Sequence, residues 1–258
     1  MVKGLYTAYT GMTNEQKRLD VLANNLANAN TTGYKKEGLV AQSFDDMLAI
    51  KIKDTSEPGN IPKGIGYISL GVKVGETYTD WSQGSMQITD KETDLALSGS
   101  GFFQIEFTNK RGQTSIMYTR DGAFTVNMAG EIVTSDGDYL LNANGQHVRI
   151  NPDLEFTVNE QGQVYQNNQV VDTIGLVDFE NYDYLEKYGE NLYRTIDGAT
   201  QIAADATVQQ GCLESSNINV VDEMVHMIQI ARAYEAGQKV IQTNDSTLDK
   251  AVNDVGRV

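Results

Sequence analysis

The apolar positions of the chain follow one period at its two ends and another in its middle. Near the N-terminus, Leu5, Met12, Leu19 and Leu26 recur every seven residues, with Ala8, Leu22 and Ala23 beside them on a helical wheel. That recurrence keeps side chains on one face of a helix. It predicts an amphipathic helix over about Lys3–Asn28, about 40 Å long at a rise of about 1.5 Å per residue. Asn28, Asn30 and Gly33 tolerate turn conformations and are expected to end it. The signal returns at the C-terminus. Val220, Met227, Tyr234, Ile241, Leu248 and Val255 are seven apart, and Val221, Met224, Ile228, Ala231 and Val252 widen the stripe. A helix is expected from Val220 to about Asn253. Asn219 is its candidate N-cap, with Asp222 three positions on as in a capping box.

Between these ends the period becomes two. Tyr67–Val74, Phe102–Phe107 and Phe156–Val158 alternate. The pairs Asp121-Gly122, Asp136-Gly137, Asn144-Gly145 and Gln161-Gly162 read as turns separating strands. Lys51–Gly66 holds Pro58-Gly59 and Pro62 in a polar setting and reads as a loop or linker. The fold class expected is α+β: long N- and C-terminal amphipathic helices forming a coiled-coil-like pair, with a mainly antiparallel β domain between them. The divisions are an N-terminal helix to residue 34, a linker or extended region over 35–77, a β-rich domain over 78–210 and a C-terminal helix over 211–258.

An exposed apolar stripe at each end asks for a partner, since burying one such side chain stabilises by roughly 1.5–3 kcal/mol. Two readings of the stripes stand side by side. One is an intramolecular coiled coil resting beside the β domain. The other is a polymer whose terminal helices pack into an inner tube. In the second, the subunit interface comprises Leu5, Met12, Leu19, Leu22 and Leu26 with Val220, Met224, Met227, Ile228, Ala231, Tyr234, Ile241 and Leu248. Small residues at Ala23, Ala27, Ala231, Ala233 and Ala236 allow close approach of neighbours. Tyr6, Tyr9, Tyr34, Tyr67 and Tyr78 suit either an interface or ordinary packing.

Composition narrows the function. The chain of 258 residues has room for one large or two modest domains. Its 35 acidic and 20 basic side chains give a formal net charge of −15, which repels phosphate backbones and anionic headgroups. No nucleic-acid partner is expected. Cys212 is the single cysteine, so no intrachain disulfide forms. Asn14, Glu15, Gln16, Lys17, Arg18 and Asp20 interrupt the first 25 residues, unlike a secretory signal. No stretch reaches transmembrane length, so a membrane-embedded chain is not expected.

Candidate chemistry is sparse. His147 and His226 lie in different regions, and neither has a Cys or His at metal spacing. A Ser-His-Asp triad would need one of them, and no nucleophile elbow is present. Ser98-Gly99-Ser100-Gly101 reads as a β-turn, and the glycines there lack the Lys-Ser/Thr of a phosphate loop. Asp121, Asp136 and Asp138 read as turn residues, and Asp136-Gly137-Asp138 fails EF-hand spacing. No catalytic residue, cofactor or metal is expected. A secreted binding module or a carboxylate hydrolase would leave both terminal stripes unexplained.

Four blocks carry a family resemblance. The chain opens with Leu5-Tyr6-Thr7-Ala8-Tyr9-Thr10-Gly11-Met12 and continues through Leu22-Ala23-Asn24-Asn25-Leu26-Ala27-Asn28-Ala29-Asn30-Thr31-Thr32-Gly33-Tyr34-Lys35. The middle carries Asp94–Phe103, containing Gly101-Phe102-Phe103, and Tyr118-Thr119-Arg120-Asp121-Gly122-Ala123-Phe124. Then comes Gly211–Met224, including Leu213, Glu214 and Asn217, followed by Arg232-Ala233-Tyr234-Glu235 and Lys239–Thr243. This order resembles bacterial flagellar rod and hook proteins. The resemblance implies a non-enzymatic subunit that polymerises with itself and adjoins other rod subunits and hook protein. It also implies a β domain facing outward, passage of export substrates along the lumen, and secretion through the flagellar export apparatus without a cleaved signal. The expected location is the basal body, outside the cytoplasmic membrane. Length and both ends are similar to the distal rod branch, which is preferred. Ile174–Asn181 and Gly189–Tyr193 are also similar to the proximal branch. The extra outer domain of hook protein is missing.

Overall fold

A computed structural model describes residues 2–51 and 63–255. Most of the expected loop at Lys51–Gly66 lies outside the described residues. The chain divides into two compact units. Unit 1 comprises Met1–Leu26, Glu37–Asp80 and Asn219–Val258, and unit 2 comprises Ala27–Lys36 and Trp81–Ile218.

Unit 1 holds both long helices. Helix α1 runs Val2–Ala27 and α2 runs Val220–Lys250, with a wider π turn continuing over Ala251–Val255. Asn219 is the N-cap of α2, its side chain accepting from the Val221 N–H at 3.1 Å. Asp222 and Glu223 in the first turn and Lys250 in the last complement the helix dipole. The two helices touch at places whose order along the chains is antiparallel. Gly237 faces Met12, and a Cβ there would sit 2.7 Å from the Met12 Cγ. Further along, Glu15, Arg18 and Leu22 of α1 border a cavity with His226, Gln229, Ile230 and Ala233 of α2.

The most deeply covered line of α2 lies beside the line chosen by counting apolar residues, which is itself half-buried at Val220, Met227 and Ile241. Glu223 and Ile230 are buried and Gly237 and Asn244 half-buried, a seven-residue line three positions round from the expected one. Glycine decides this, because the missing side chain at position 237 is what lets α1 come close.

The segment 35–77 carries four strands: β1 Glu37–Ser43, β2 Met47–Lys51, β3 Lys63–Ile68 and β4 Val72–Thr79. β1 pairs antiparallel with β4, Glu37 opposite Thr79, with a bulge between Leu39 and Ala41. β2 pairs antiparallel with β3. The alternating run Tyr67–Val74 is therefore two strands, not one. It breaks at Gly71, whose φ of +131° and 2.1 Å gap between an added Cβ and the Thr10 Oγ1 admit only glycine.

Unit 2 is mainly antiparallel β. Its strands are β5 Met86–Ile88, β6 Leu95–Ser100, β7 Phe102–Thr108, β8 Thr114–Thr119, β9 Phe124–Val126, β10 Ile132–Thr134 and β11 Tyr139–Leu140. They continue with β12 Thr157–Val158, β13 Gln163–Gln166, β14 Gln169–Thr173, β15 Leu176–Phe179 and β16 Leu185–Tyr188. The last are β17 Leu192–Thr195, β18 Gln201–Ala203, β19 Asp205–Gln210 and β20 Cys212–Glu214. Among the described residues the largest sheet has nine strands, ordered β16-β17-β8-β7-β11-β10-β9, with β15 on β7 and β18 on β15. Because strand side chains alternate faces, adjacent Phe102 and Phe103 enter different cores. Phe103 packs with Leu95, Leu97, Ile105, Phe124 and Val164, while Phe102 joins Tyr118, Phe179, Tyr193, Trp81 and Tyr182.

One turn recurs at Asn109, Asn127, Asn142 and Asn159. Each Asn Oδ1 accepts from the backbone N–H groups two and four residues on, at 2.8–3.1 Å. Gly112, Gly130, Gly145 and Gly162 follow three residues after each, with φ between +75° and +79°. The repeat is Asn-x-x-Gly followed by Gln or Glu, a signal present in the sequence that dipeptide counting recognised at only two of the four places.

One expected turn is absent, and another separates two strands that do not pair with each other. Ser98-Gly99-Ser100 lies within β6, which pairs with β19, and the chain bends at Gly101. Asp121-Gly122 does not close a hairpin, since β8 pairs with β7 and β17 while β9 pairs with β10. Gly122 is there for closeness: an added Cβ would lie 1.5 Å from the Leu95 carbonyl oxygen.

Candidate assembly site

Three of the resemblance blocks meet inside unit 2 around one buried carboxylate. Glu214, at the end of β20, is fully enclosed. Its Oε1 accepts from the Lys35 Nζ at 2.6 Å and the Gly84 N–H at 2.9 Å. Its Oε2 accepts from the Arg120 Nη1 at 3.4 Å. The Lys35 Nζ also donates to the Ser82 carbonyl at 2.9 Å, and the Arg120 Nη2 to the Gly99 carbonyl at 2.7 Å. Charges this deep persist only when each is paired and hydrogen-bonded.

Backbone contacts brace the same place. The Gly33 N–H donates to the Glu214 carbonyl at 2.8 Å. Gly33 has φ +67°, and a Cβ there would lie 2.4 Å from the Arg120 carbonyl carbon, so both conformation and space require glycine. The Thr32 hydroxyl donates to Asp121 Oδ1 at 2.6 Å, and Asn191 Nδ2 donates to Asp121 Oδ2 at 2.8 Å. The Lys36 N–H donates to Asn217 Oδ1 at 2.8 Å, while Asn217 Nδ2 reaches the Ser82 Oγ at 3.0 Å. Tyr34 is buried under the Lys187 ammonium, 4.0 Å from its ring centroid. Asn28 accepts from the Thr31 hydroxyl where α1 ends.

Of the remaining signature residues, Asn25 lies in unit 1. It brackets Glu37 by donating to its carbonyl at 2.8 Å and accepting from its N–H at 3.0 Å. Asn24 is exposed and Leu213 half-buried opposite Gln87. Gly101, at φ +144°, turns the chain between β6 and the Phe102-Phe103 pair of β7. Lys35, Arg120 and Asp121 were not chosen as site residues from sequence. Their signal was a charged residue embedded in each block between residues that pack.

The expected interface residues divide in two. Leu5, Met12, Leu19, Leu22, Leu26, Val220, Met227 and Ile241 are half-buried within the chain itself. Met224, Ile228, Ala231, Tyr234 and Leu248 are exposed, Met224 at 48% and Ile228 at 54%, and Val221 beside them is exposed at 68%. The exposed set forms an apolar strip along α2. Tyr6, Tyr9, Tyr67 and Tyr78 are exposed, whereas Tyr34 is core.

His147 is held by an aromatic ring and two carboxylates. His147 stacks on Tyr139 with ring centroids 4.2 Å apart, 3.4 Å from Glu106 and 3.5 Å from Glu131. Glu131 also accepts from Asn127 at 3.1 Å and Arg149 at 2.9 Å. These hydrogen bonds, Asn127's foremost, hold its carboxyl below the ordinary value of 4.5. Burial raises the Asp138 carboxyl. No three His, Cys, Asp or Glu side chains gather at metal-binding distance among the described residues. No described helix is long and apolar enough to cross a membrane.

Fold and site together define a structural subunit: a β-rich body, locked through its own signature segments, and two terminal helices, of which α2 keeps an apolar strip outside. Three family descriptions match in chain order. "Flagella basal body rod protein" matches residues 5–35, "Flagellar hook protein FlgE/F/G D1 domain" 96–166 and "Flagellar basal body rod FlgEFG protein C-terminal" 209–254. The chain is 35% identical to the flagellar basal-body rod protein FlgG of Bacillus subtilis, over 98% of this chain and 99% of that one. It is 34% identical to FlgG of Borreliella burgdorferi, over 98% of each. It is also 35% identical to the rod protein FlgF of Caulobacter vibrioides, over the full length of both. The chain belongs to the flagellar basal-body rod protein family.

Proposed function

We propose that this rod subunit builds a hollow helical axial tube by burying the outward faces of α1 and α2 between copies. The observation that carries this reading is the exposed strip Val221, Met224, Ile228, Ala231, Tyr234 and Leu248. An amphipathic helix leaves such a strip in water only at a cost, and a monomer gains nothing from it. The antiparallel α1–α2 contact at Met12 and Gly237 serves as the coiled-coil-like building block. In the assembled rod the tube transmits torque and passes export substrates. It adjoins other rod subunits and hook protein, without catalysis. The subunit reaches the basal body through the flagellar export apparatus with its first helix uncleaved.

Ile228→Asp together with Met224→Asp tests the reading. The protein is expected to fold and to be missing from purified basal bodies, leaving cells non-motile. Normal motility with both substitutions in place would refute it.

Within the family we read the chain as the distal rod type, in keeping with its FlgG relatives. The full-length match to an FlgF protein favours a proximal position as the second reading. A deletion strain separates them by where the axis stops: at the far end of the rod for distal, before it for proximal.

A further inference from the structure

The apolar strip of α2 cannot be its own partner in a growing tube. Two copies meeting strip to strip would each present the same patch to the other. Such a contact is isologous and closes at a dimer. A contact between two different patches leaves each copy with a free surface, so it continues into a helical polymer. The strip therefore needs a complement of another shape on the same molecule.

Unit 1 holds one in the cavity between α1 and α2, which measures about 360 Å³. Leu22, Ile230 and Ala233 supply its apolar lining, and Glu15 and Arg18 of α1 its charged edge. Ile230 is 4% exposed and Leu22 half-buried, while Arg18 and Ala233 are exposed, so the mouth lies at the surface. Ala233 contributes only a methyl group and leaves the space open to a side chain from elsewhere. The mouth and the strip are on different sides of α2. Ile228 and Ile230 are two residues apart, about 200° round a helix that turns about 100° per residue.

Charge and spacing match as well. Arg232 is exposed and follows Ile228 by four residues, so it continues the line Met224–Ile228. Copies stacked along one axis share a direction. The α2 of one copy then meets the α1 of the next in the antiparallel order seen within one chain. With Met224 opposite Leu22, Ile228 lies against the stem of Arg18 and Arg232 reaches Glu15. Met224 to Arg232 is about 12 Å and Leu22 to Glu15 about 10.5 Å at a rise of about 1.5 Å per residue. Glu15 already accepts from Arg18 at 3.2 Å, and a carboxylate has lone pairs for a second donor.

We propose that Met224 and Ile228 of one copy enter the α1–α2 cavity of the next, with Arg232 on Glu15, which makes the subunit interface heterologous. This rests on the assembly reading above and adds which surface meets which.

Cross-linking in purified basal bodies tests it. Cys212→Ser removes the single native thiol. Ile228→Cys and Arg18→Cys are then introduced singly and together, and the rods are mildly oxidised. The doubly substituted protein is expected to give a ladder of covalent oligomers that reduction abolishes, and each single variant none. Dimers from Ile228→Cys alone would show strip meeting strip and overturn the proposal. So would assembled, motile double variants without a ladder, a result that leaves the tube itself standing. Failure of the tube reading shows instead as normal motility with Met224→Asp and Ile228→Asp. If the cysteine variants do not assemble, charge exchange asks the same question. Arg232→Glu and Glu15→Arg are each expected to abolish swarming and together to restore it, and singles without effect or a double without rescue would overturn the contact.

Discussion

Both units leave large apolar side chains in water, but unit 2 also buries an extensive apolar core and unit 1 buries almost none. In unit 2, Leu95, Leu97, Phe103, Ile105, Leu140, Val148, Val164 and Tyr193 are buried. In unit 1 the described residues with buried apolar side chains reduce to Ile230, while Tyr6, Tyr9, Val40, Met47, Leu48, Tyr67, Val221 and Ile228 are exposed. The same contrast holds for polar groups. Unit 2 spends a buried Lys-Glu-Arg cluster on itself, and unit 1 relies on local brackets such as Asn25 on Glu37. Unit 2 holds its own core together, whereas unit 1 has little buried apolar contact to rely on.

The largest expected effect tests the self-sufficiency of unit 2. Glu214→Ala strips the partner from two buried cations and is expected to cost about 3–5 kcal/mol of stability, read by urea unfolding of the full chain. A loss comparable to that of an exposed substitution would mean the cluster does not hold the unit. Next is Gly33→Ala, which forces an unfavourable φ against the Arg120 backbone and is expected to cost about 1–3 kcal/mol in the same assay. Asn127→Ala removes a turn anchor, and a loss of about 1 kcal/mol is expected from the recurrent Asn-x-x-Gly geometry.

The contrast is sharpest with Met224→Asp alone. Stability is expected to stay within about 0.5 kcal/mol because the side chain is already solvated. Any defect should then appear only in assembly. Smallest is a pH effect. Because Glu131 titrates below 4.5 in the folded chain, its stabilisation is fully present above 4.5 and fades as pH falls through the lower folded value. Glu131→Gln should flatten that acid limb in unfolding curves, and an unchanged limb would discount the Asn127–Arg149 contacts.

The helices were legible because heptad spacing is a local, strongly periodic signal, and α1 and α2 begin within a residue of where it places them. The alternating strand at Phe102–Phe107 was legible for the same reason. Gly71, Gly122 and Gly237 were not. Each is glycine because of a neighbour distant in sequence, namely Thr10, Leu95 and Met12. Nothing in the local pattern distinguishes such a glycine from a turn residue, which is why Asp121-Gly122 read as a hairpin. Asp121 instead ties Thr32 to Asn191, residues more than fifty positions away on either side.

By itself the sequence determined the period of each segment, the apolar character of both terminal helices and the family. Those properties follow from residue type and spacing along one chain. Only the tertiary structure decided which line of α2 meets α1 and which stays outside. Only it brought Lys35, Arg120 and Glu214 to one buried point. Both outcomes depend on long-range contacts. Close approach at a glycine and pairing of desolvated charges are energies between residues far apart in the chain, and periodicity carries no record of them.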